Sequence, residues 1–256
     1  MSGFAARLKA WRRVRRLSQL ALACEAGISS RHLAFLETGR ARPSPAMIGR
    51  LGEALRLPLS DRNQLLQLAG FAPRYGLRSW DAAEMAPIRA AVGHMLDNHA
   101  PFPALAVDRL WRVVALNAPA RILFAPLGVT EGTSLLELML SPALQAAIEN
   151  WPEVAHHAAL RLRAESAAQG GIARLDEVAA ALAAAPAPGE GPAGPVVPTI
   201  LRAGPERLSL FATIAQFGTA EDITLDDLKI ELYFPADATT ERALLRLADQ
   251  AASPAT

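Results

Sequence analysis

A short segment near the start of the 256-residue chain, SSRHLAF, carries side chains that could read the bases of DNA. We expect this segment to form a helix that buries Leu33 and Leu36. Ser30, Arg31 and Phe35 then point outward. An arginine can bind the O6 and N7 atoms of guanine, a serine discriminates less, and an apolar ring can contact the thymine methyl group. Arg31 is therefore expected to contact bases, whereas Phe35 could contact the groove, the core or a second copy of the chain.

Other side chains around this helix could bind the phosphate backbone. Gln19 begins the preceding predicted helix, where a side-chain amide and free backbone N–H groups can bind a phosphate. Arg40 and Arg42 follow the base-reading helix and could contact flanking phosphates, which would make the affinity fall with salt. The candidate DNA-contacting residues are Gln19, Ser29, Ser30, Arg31, Phe35, Arg40 and Arg42.

The charge of the chain is divided unevenly along its length. Residues 1–80 hold 14 basic and four acidic side chains, about +10, whereas the remainder holds 12 basic and 21 acidic ones, about −9. The net charge of +1 conceals this division. Such asymmetry suggests two modules, the first of which binds a polyanion. A basic surface that is only solvated would give the same residue counts.

Capping residues and apolar spacing predict five short helices in residues 1–72, which would form an all-α domain. Ser18, Ser29 and Ser44 are placed to cap the second, third and fourth helices, and the fifth is expected to start at Ser60. The residues expected to face the core are Phe4, Leu8, Trp11 and Val14 in the first helix, Leu20, Ala21 and Cys24 in the second, and Leu33 and Leu36 in the third.

The rest of the chain is predicted to hold a linker, residues 73–83, and an α+β domain, residues 84–256. Two short strands are expected within 104–116 and three between 196 and 234, so that a sheet forms with helices around it. Residues 185–195, rich in proline and glycine, are expected to form a loop. The strand RLSLFATIAQF is largely apolar on both faces, which predicts burial on both sides.

Residues 7–70, with LSQLALACEAGISSRHLAFLETGRARPS at their centre, resemble the Xre-type helix-turn-helix domain of phage-repressor relatives. The resemblance implies a five-helix domain that binds a double-stranded DNA operator. It also implies that Arg12 of the first helix pairs with Glu37 near the end of the third, as a structural pair. Ser30 departs from that family, in which a glutamine able to bind adenine often stands at this position.

Most of residues 72–236 resemble the MmyB-like regulators, with DRLWRVVALNAPA and FGTAEDITLDDLKIELYFPAD as the strongest matches. This resemblance implies a PAS-like domain that binds a small lipidic, fatty-acid-like or otherwise apolar molecule. Arg112 or Arg121 could hold a carboxylate if that ligand is an acid. A solid core that serves dimerisation or a protein partner is the alternative. The candidate pocket residues are Trp111, Asn117, Arg121, Trp151 and Phe211.

The sequence holds no arrangement of residues that supports catalysis or a bound cofactor. The spacing of the histidines does not place two imidazoles on one face of a helix, so no metal site is expected. The single cysteine, Cys24, suits a reducing compartment, and neither a secretory signal nor a membrane span is expected. We therefore predict a cytoplasmic, homodimeric, non-enzymatic transcription regulator that binds a DNA operator and senses an apolar effector.

Overall fold

The computed structural model describes residues 3–186, 189, 196–204, 206–218 and 220–252. The chain forms two compact units. The first comprises residues 1–78 together with 167–171 and 218–226, and the second comprises the remaining residues. Most of the predicted loop 185–195 lies outside the described residues.

The first unit contains the five predicted helices. They are α1 (Gly3–Val14), α2 (Gln19–Glu25), α3 (Ser30–Thr38), α4 (Pro45–Ala54) and α5 (Leu59–Leu68). As expected, the hydroxyl oxygens of Ser18, Ser29 and Ser44 accept hydrogen bonds from backbone N–H groups in the first turns of α2, α3 and α4. Helix α5 begins at Leu59, one residue before the predicted start at Ser60.

Apolar residues of all five helices build the core of the first unit. Phe4, Leu8 and Trp11 of α1 are buried in it, as predicted. So are Leu33 and Leu36 of α3. Burial of each large apolar side chain contributes about 1.5–3 kcal/mol, so these contacts rather than helix propensity hold such short helices in place.

The predicted inner face of α2 is wrong. Leu20 is 71% exposed and Cys24 is exposed, whereas Leu22 and Ala23 are buried. Val14, at the end of α1, is also exposed. Helix α2 spans only about two turns, and it carries apolar residues on both faces, so periodicity cannot select the buried one.

The second unit is an α+β domain built on a five-stranded antiparallel sheet. The strands are β1 (Ala104–Val107), β2 (Val113–Leu116), β3 (Thr199–Ala203), β4 (Glu206–Ala215) and β5 (Lys229–Pro235), and they lie in the order β2-β1-β5-β4-β3. Strand β5 is therefore central, paired with β1 on one side and β4 on the other. This sheet and its helices agree with the PAS-like fold that the sequence predicts.

Eight further α-helices occur in the described residues after position 78. They are α6 (Ala86–Asp97), α7 (Ala118–Phe124), α8 (Leu135–Leu140), α9 (Pro142–Ala147), α10 (Trp151–Ala168), α11 (Ala173–Leu182), α12 (Ile223–Asp226) and α13 (Ala238–Ala252). Ser141 alone separates α8 from α9, and Pro142 begins α9, because a proline cannot continue the preceding helix but is tolerated at the first position of a new one. In the described part of the chain, no helix combines the length and apolar character needed to cross a bilayer.

Burial along β4 differs from the prediction that both faces are covered. Leu208 and Leu210 are buried, but Ala212 and Thr213 are exposed and Ile214 is 45% exposed. The second half of the strand therefore presents apolar groups at the surface of the unit. An apolar composition shows that a strand can be buried, but it does not show how far neighbouring elements extend over it.

Candidate nucleic-acid interface and ligand cavity

Helices α2 and α3 form a helix-turn-helix. The turn contains Gly27, whose φ of 63° lies in the left-handed region that glycine adopts without steric cost. Leu33 and Leu36 fix α3 to the core, and the opposite side of the helix lies at the surface of the unit. In this motif the second helix enters the major groove and contacts bases with its N-terminal residues. The N-terminus of α3 is therefore the candidate base-reading end.

Most of the predicted DNA-contacting side chains lie at the surface around α3. The Ser29 hydroxyl oxygen accepts a hydrogen bond from the His32 N–H (3.2 Å), so this side chain also caps the helix. Arg31 is exposed on the first turn, where a base contact requires it. The exposed members of the predicted set are Ser29, Ser30, Arg31, Arg40 and Arg42.

Phe35 is half-buried and lies beside Arg31. The guanidinium carbon of Arg31 is 5.5 Å from the centroid of the Phe35 ring. A cation–π contact of this kind contributes about 0.5–1 kcal/mol at an exposed site. Such a contact favours one position of the arginine side chain, so less conformational freedom would be lost if the guanidinium bound a base.

The carboxylate of Glu37, in α3, is hydrogen-bonded to side chains of α1 and α2. Arg12 donates through Nε to Oε1 (2.6 Å) and through Nη2 to Oε2 (2.9 Å), and Gln19 donates through Nε2 to Oε2 (2.7 Å). Arg12 also donates to the carbonyl oxygen of Leu17 (2.8 Å). The pair implied by the family resemblance is thus present, and the side-chain amide of Gln19 joins it. We call Arg12, Gln19 and Glu37 the Glu37 cluster.

Glu37 remains charged although it is only 2% exposed. Burial alone would raise the pKa of Glu37, but the hydrogen bonds from Arg12 and Gln19, together with the Arg12 charge, hold that pKa below its usual value. Gln19 was predicted to contact phosphate through its amide. That amide donates to Glu37 in the structure, while the backbone of Gln19 lies at the N-terminus of α2.

The second unit contains a largely apolar cavity of about 160 Å³. Its walls come from the sheet, from the turn before β2, and from α7 to α10 with their connections. The residues that line it are Leu105, Trp111, Phe124, Leu127, Val129, Leu135, Leu138, Met139, Leu144, Ile148, Trp151, Val154, Ala158, Thr199, Leu201, Leu210, Glu231 and Tyr233. A cavity of about 150 Å³ with apolar walls accommodates benzene, so this one can accept an apolar group of similar size.

Charged and hydroxyl groups meet at one side of this cavity. Arg161 of α10 donates to Oε1 of Glu231 (2.6 Å) and to Oε1 of Glu165 (3.1 Å). Tyr233 donates from its hydroxyl to Oε2 of Glu231 (2.9 Å). Lys229 donates to Oε2 of Glu165. We call these five residues the Glu231 network; it holds two cations and two carboxylates, so it is neutral overall.

Burial and charge shift the pKa values in this network. Burial and the neighbouring Glu231 carboxylate raise the pKa of Tyr233 well above its usual value, so its hydroxyl keeps its proton. Burial would raise the pKa of Glu165 too, but hydrogen bonds and charges from Lys229 and Arg161 hold it below its usual value. Both carboxylates therefore have cationic partners inside the fold.

Trp111 connects the cavity wall to this network. Its indole N–H donates to Oε2 of Glu165 (3.0 Å), and the guanidinium carbon of Arg161 lies 4.2 Å from its ring centroid. The residue is 2% exposed and has a φ of 59°, which is unusual for a bulky side chain. The N–H of Trp111 donates to the carbonyl oxygen of Asp108 (3.0 Å) and its own carbonyl oxygen accepts from the N–H of Leu135 (2.9 Å), which holds this strained backbone.

Two of the five predicted pocket residues, Trp111 and Trp151, line the cavity. Asn117 is buried elsewhere, and its side chain makes four hydrogen bonds to backbone groups of α6, of the segment that leads into β1, and of the first turn of α7. Arg121 forms a surface ion pair with Glu131. Phe211 stacks on Phe234, with ring centroids 5.5 Å apart. Asn117, Arg121 and Phe211 are therefore not among the residues that line this cavity. A residue type alone does not show which side of an element faces a cavity.

None of the five residues of the Glu231 network is among the sequence-predicted site residues. A signal for it exists in the segment LKIELYF, because Lys229, Glu231 and Tyr233 alternate with apolar residues in a central strand. Side chains at every second position share one face of a strand. Two opposite charges and a tyrosine on one face of a buried strand predict polar partners opposite them.

Two family models match the chain. One is a helix-turn-helix domain, matched by residues 4–65. The other is the MmyB-like transcription regulator ligand binding domain, matched by residues 88–247, more than half of the chain. Comparison with curated proteins gave no match. The chain therefore belongs to the family of MmyB-like transcription regulators, with a helix-turn-helix domain ahead of the ligand-binding domain.

Proposed function

We propose that this regulator binds a specific double-stranded operator as a homodimer and responds to a small apolar or fatty-acid-like effector. The observation that carries the proposal is the apolar cavity inside a domain of a ligand-binding family, in a chain that also holds a helix-turn-helix. Two copies of α3 would enter successive major grooves about 34 Å apart. The exposed Arg40 and Arg42 would contact flanking phosphates.

The effector would act by changing the populations of DNA-binding and non-binding dimers. A ligand that fills the cavity would bury its apolar surface, and this burial would supply most of the binding free energy. To change operator occupancy strongly, it must bind one dimer state more tightly than the other by several kcal/mol. This requirement makes operator affinity with and without ligand the decisive measurement.

Replacing Arg31 with alanine is expected to reduce discrimination between the selected operator and random DNA. The loss of a bidentate contact to guanine corresponds to about 1–3 kcal/mol, or about 5- to 150-fold. The operator would first be selected from random DNA with the wild-type protein, and both affinities then measured by fluorescence anisotropy at one fixed salt concentration.

Arg163→Ala is the matched control for this experiment. Arg163 is an exposed arginine on α10 of the second unit, so its loss changes the net charge by the same amount. Its discrimination should equal that of the wild type. If Arg31→Ala also discriminates as well as the wild type, α3 does not read bases through Arg31.

Replacing Ala158 with phenylalanine is expected to abolish ligand binding by filling the cavity. Ala158 lies on α10 and lines the cavity. Alcohols, acids and amides of about six carbons, a size set by the cavity, would be screened, and at least one of these classes should raise the midpoint of thermal unfolding of the wild type but not of this variant. Operator affinity without ligand should persist, although overpacking can cost about 1–3 kcal/mol of stability.

Ala164→Phe provides the control, because Ala164 is an exposed residue of the same helix and its substitution adds the same group at the surface. It should respond to ligands as the wild type does. If no compound stabilises the wild type and no lipid is found by mass spectrometry after denaturing the purified protein, the domain serves dimerisation or a protein partner instead.

A further inference from the structure

The polar side of the cavity points to the chemistry of the ligand. We infer that the effector presents an uncharged hydrogen-bond donor, such as an alcohol or amide, to Tyr233 and Glu231, and that an ionised carboxylate is disfavoured there. This inference rests on the proposed function, because it assumes that the cavity of the second unit holds a ligand. It narrows the proposed effector, an apolar or fatty-acid-like molecule, to an apolar molecule with an uncharged donor head group, such as an alcohol or amide, and excludes an ionised fatty acid.

The donors on this side of the cavity are already used within the protein. The hydroxyl proton of Tyr233 is directed to Oε2 of Glu231, and Arg161 donates to Oε1 of the same carboxylate. A tyrosine oxygen and an ionised carboxylate still have lone pairs that can accept further hydrogen bonds. The lining therefore offers acceptors from Tyr233 and Glu231, and a ligand that fits them must donate.

The cations of the network do not favour an acidic ligand. Arg161 and Lys229 neutralise Glu231 and Glu165. Of these four charged residues, Glu231 lines the cavity, whereas the two cations do not. Glu231 is 3% exposed. An ionised acid would bring a second negative charge next to this buried carboxylate, and it would lose its hydration without gaining a cation.

The remaining polar residue of the lining, Thr199, does not reverse this conclusion. Its hydroxyl can donate or accept, so it accommodates a neutral head group but supplies no positive charge. The raised pKa of Tyr233 keeps its hydroxyl protonated and directed at Glu231 near neutral pH. With a volume of about 160 Å³, the cavity favours a compact apolar group of about six carbons.

The test compares ligands that share one apolar chain and differ only at the polar end. Hexan-1-ol, hexanamide, hexanoate and hexylamine would be titrated into the full-length protein at about pH 7.5, with binding measured by calorimetry and thermal unfolding. Ala158→Phe serves as the blocked cavity, so that only binding absent from this variant is counted. The alcohol and the amide should bind about tenfold or more tightly than hexanoate.

Two variants test the assigned atoms. Tyr233→Phe removes one acceptor and should reduce the preference for hexan-1-ol over hexanoate. Glu231→Gln removes the buried negative charge and should bring the affinity for hexanoate closer to that for hexan-1-ol. If Glu231→Gln does not fold, Tyr233→Phe and the wild-type comparison still decide, because neither needs the charge to be removed.

The outcomes separate this inference from the function on which it rests. Hexanoate binding as tightly as hexan-1-ol, or hexylamine alone binding, would overturn the neutral-donor head group while leaving a ligand-binding cavity in place. Absence of cavity-dependent binding by every compound, with no lipid retained in the purified protein, would overturn the effector role and this inference together.

Discussion

Replacing Arg161 with methionine is expected to lower the free energy of unfolding of the second unit by about 3 kcal/mol. Arg161 is the cation that joins Glu165 and Glu231, with hydrogen bonds of 3.1 and 2.6 Å. Its removal leaves Glu231 as a buried charge whose hydrogen-bond donor is the neutral Tyr233. Methionine would keep an apolar contact with the Trp111 ring, so the loss of unfolding free energy should come mainly from removal of the Arg161 charge.

Amide hydrogen exchange of the full chain can measure this loss where it occurs. Protection of β5 and α10 should fall, because exchange in a stable core follows the free energy of opening. Arg163→Met, two residues further along α10 and exposed, should change stability by no more than about 0.5 kcal/mol. Equal effects of the two substitutions would show that the Glu231 network does not depend on the Arg161 charge.

A second substitution can confirm the origin of that cost. Adding Glu231→Gln to Arg161→Met removes the uncompensated charge, so the double variant should lose less stability than the sum of the two single losses. A strictly additive result would mean that Arg161 stabilises the unit through Trp111 or Glu165 rather than through Glu231.

Replacing Arg12 with methionine is expected to destabilise the first unit by about 3 kcal/mol at neutral pH. Its guanidinium makes two hydrogen bonds to the Glu37 carboxylate and one to the Leu17 carbonyl oxygen. The side chain of Arg12 is 13% exposed and that of Glu37 is 2% exposed, so solvent screens this pair little. Amide exchange in α3 should report the loss.

The effect of Arg12→Met should depend on pH in a defined direction. The pKa of Glu37 is lowered in the folded state from its usual value of 4.5, so its contribution to stability is complete above that usual value, which applies to the unfolded chain. That contribution is lost as the pH falls through the lower folded-state value. The difference between wild type and Arg12→Met should therefore shrink below about pH 4.

Arg13→Met is the control for the pH series, because Arg13 is the exposed neighbour of Arg12 on α1. It should cost no more than about 0.5 kcal/mol, with little dependence on pH. A pH-independent loss in Arg12→Met would indicate that the hydrogen bond to Leu17, rather than the charge of Glu37, carries the stabilisation.

Local signals predicted the framework of the DNA-binding unit. Ser18, Ser29 and Ser44 each cap a helix where the sequence places them, because an N-cap depends on the serine and on the next few backbone groups. The buried face of α3 was predicted correctly from Leu33 and Leu36, because Phe35 is the one other large apolar residue of that helix. Phe35 itself is half-buried, so its burial does not choose among the groove, the core and a second copy of the chain.

Features that depend on distant parts of the chain could not be predicted from local patterns. The amide of Gln19 binds a carboxylate 18 positions away, and Arg161 binds one 70 positions away. The strand β4 was expected to be covered along its length, but Ile214 is exposed because burial depends on which elements reach it. Asn117 and Arg121 are polar groups near the expected pocket whose partners lie in other elements.

The Glu37 cluster also couples the position of α3 to that of α1 and α2. It joins α1, the first turn of α2 and the last turn of α3 through one carboxylate. If the protein binds DNA as proposed, the start of α2 and the whole of α3 would therefore approach it as one rigid body. A substitution on α1 that displaces Arg12 would then displace α3 as well, although α1 itself need not contact DNA. In related proteins, buried residues such as the one at the position of Arg12 should then influence operator preference together with the surface residues of α3.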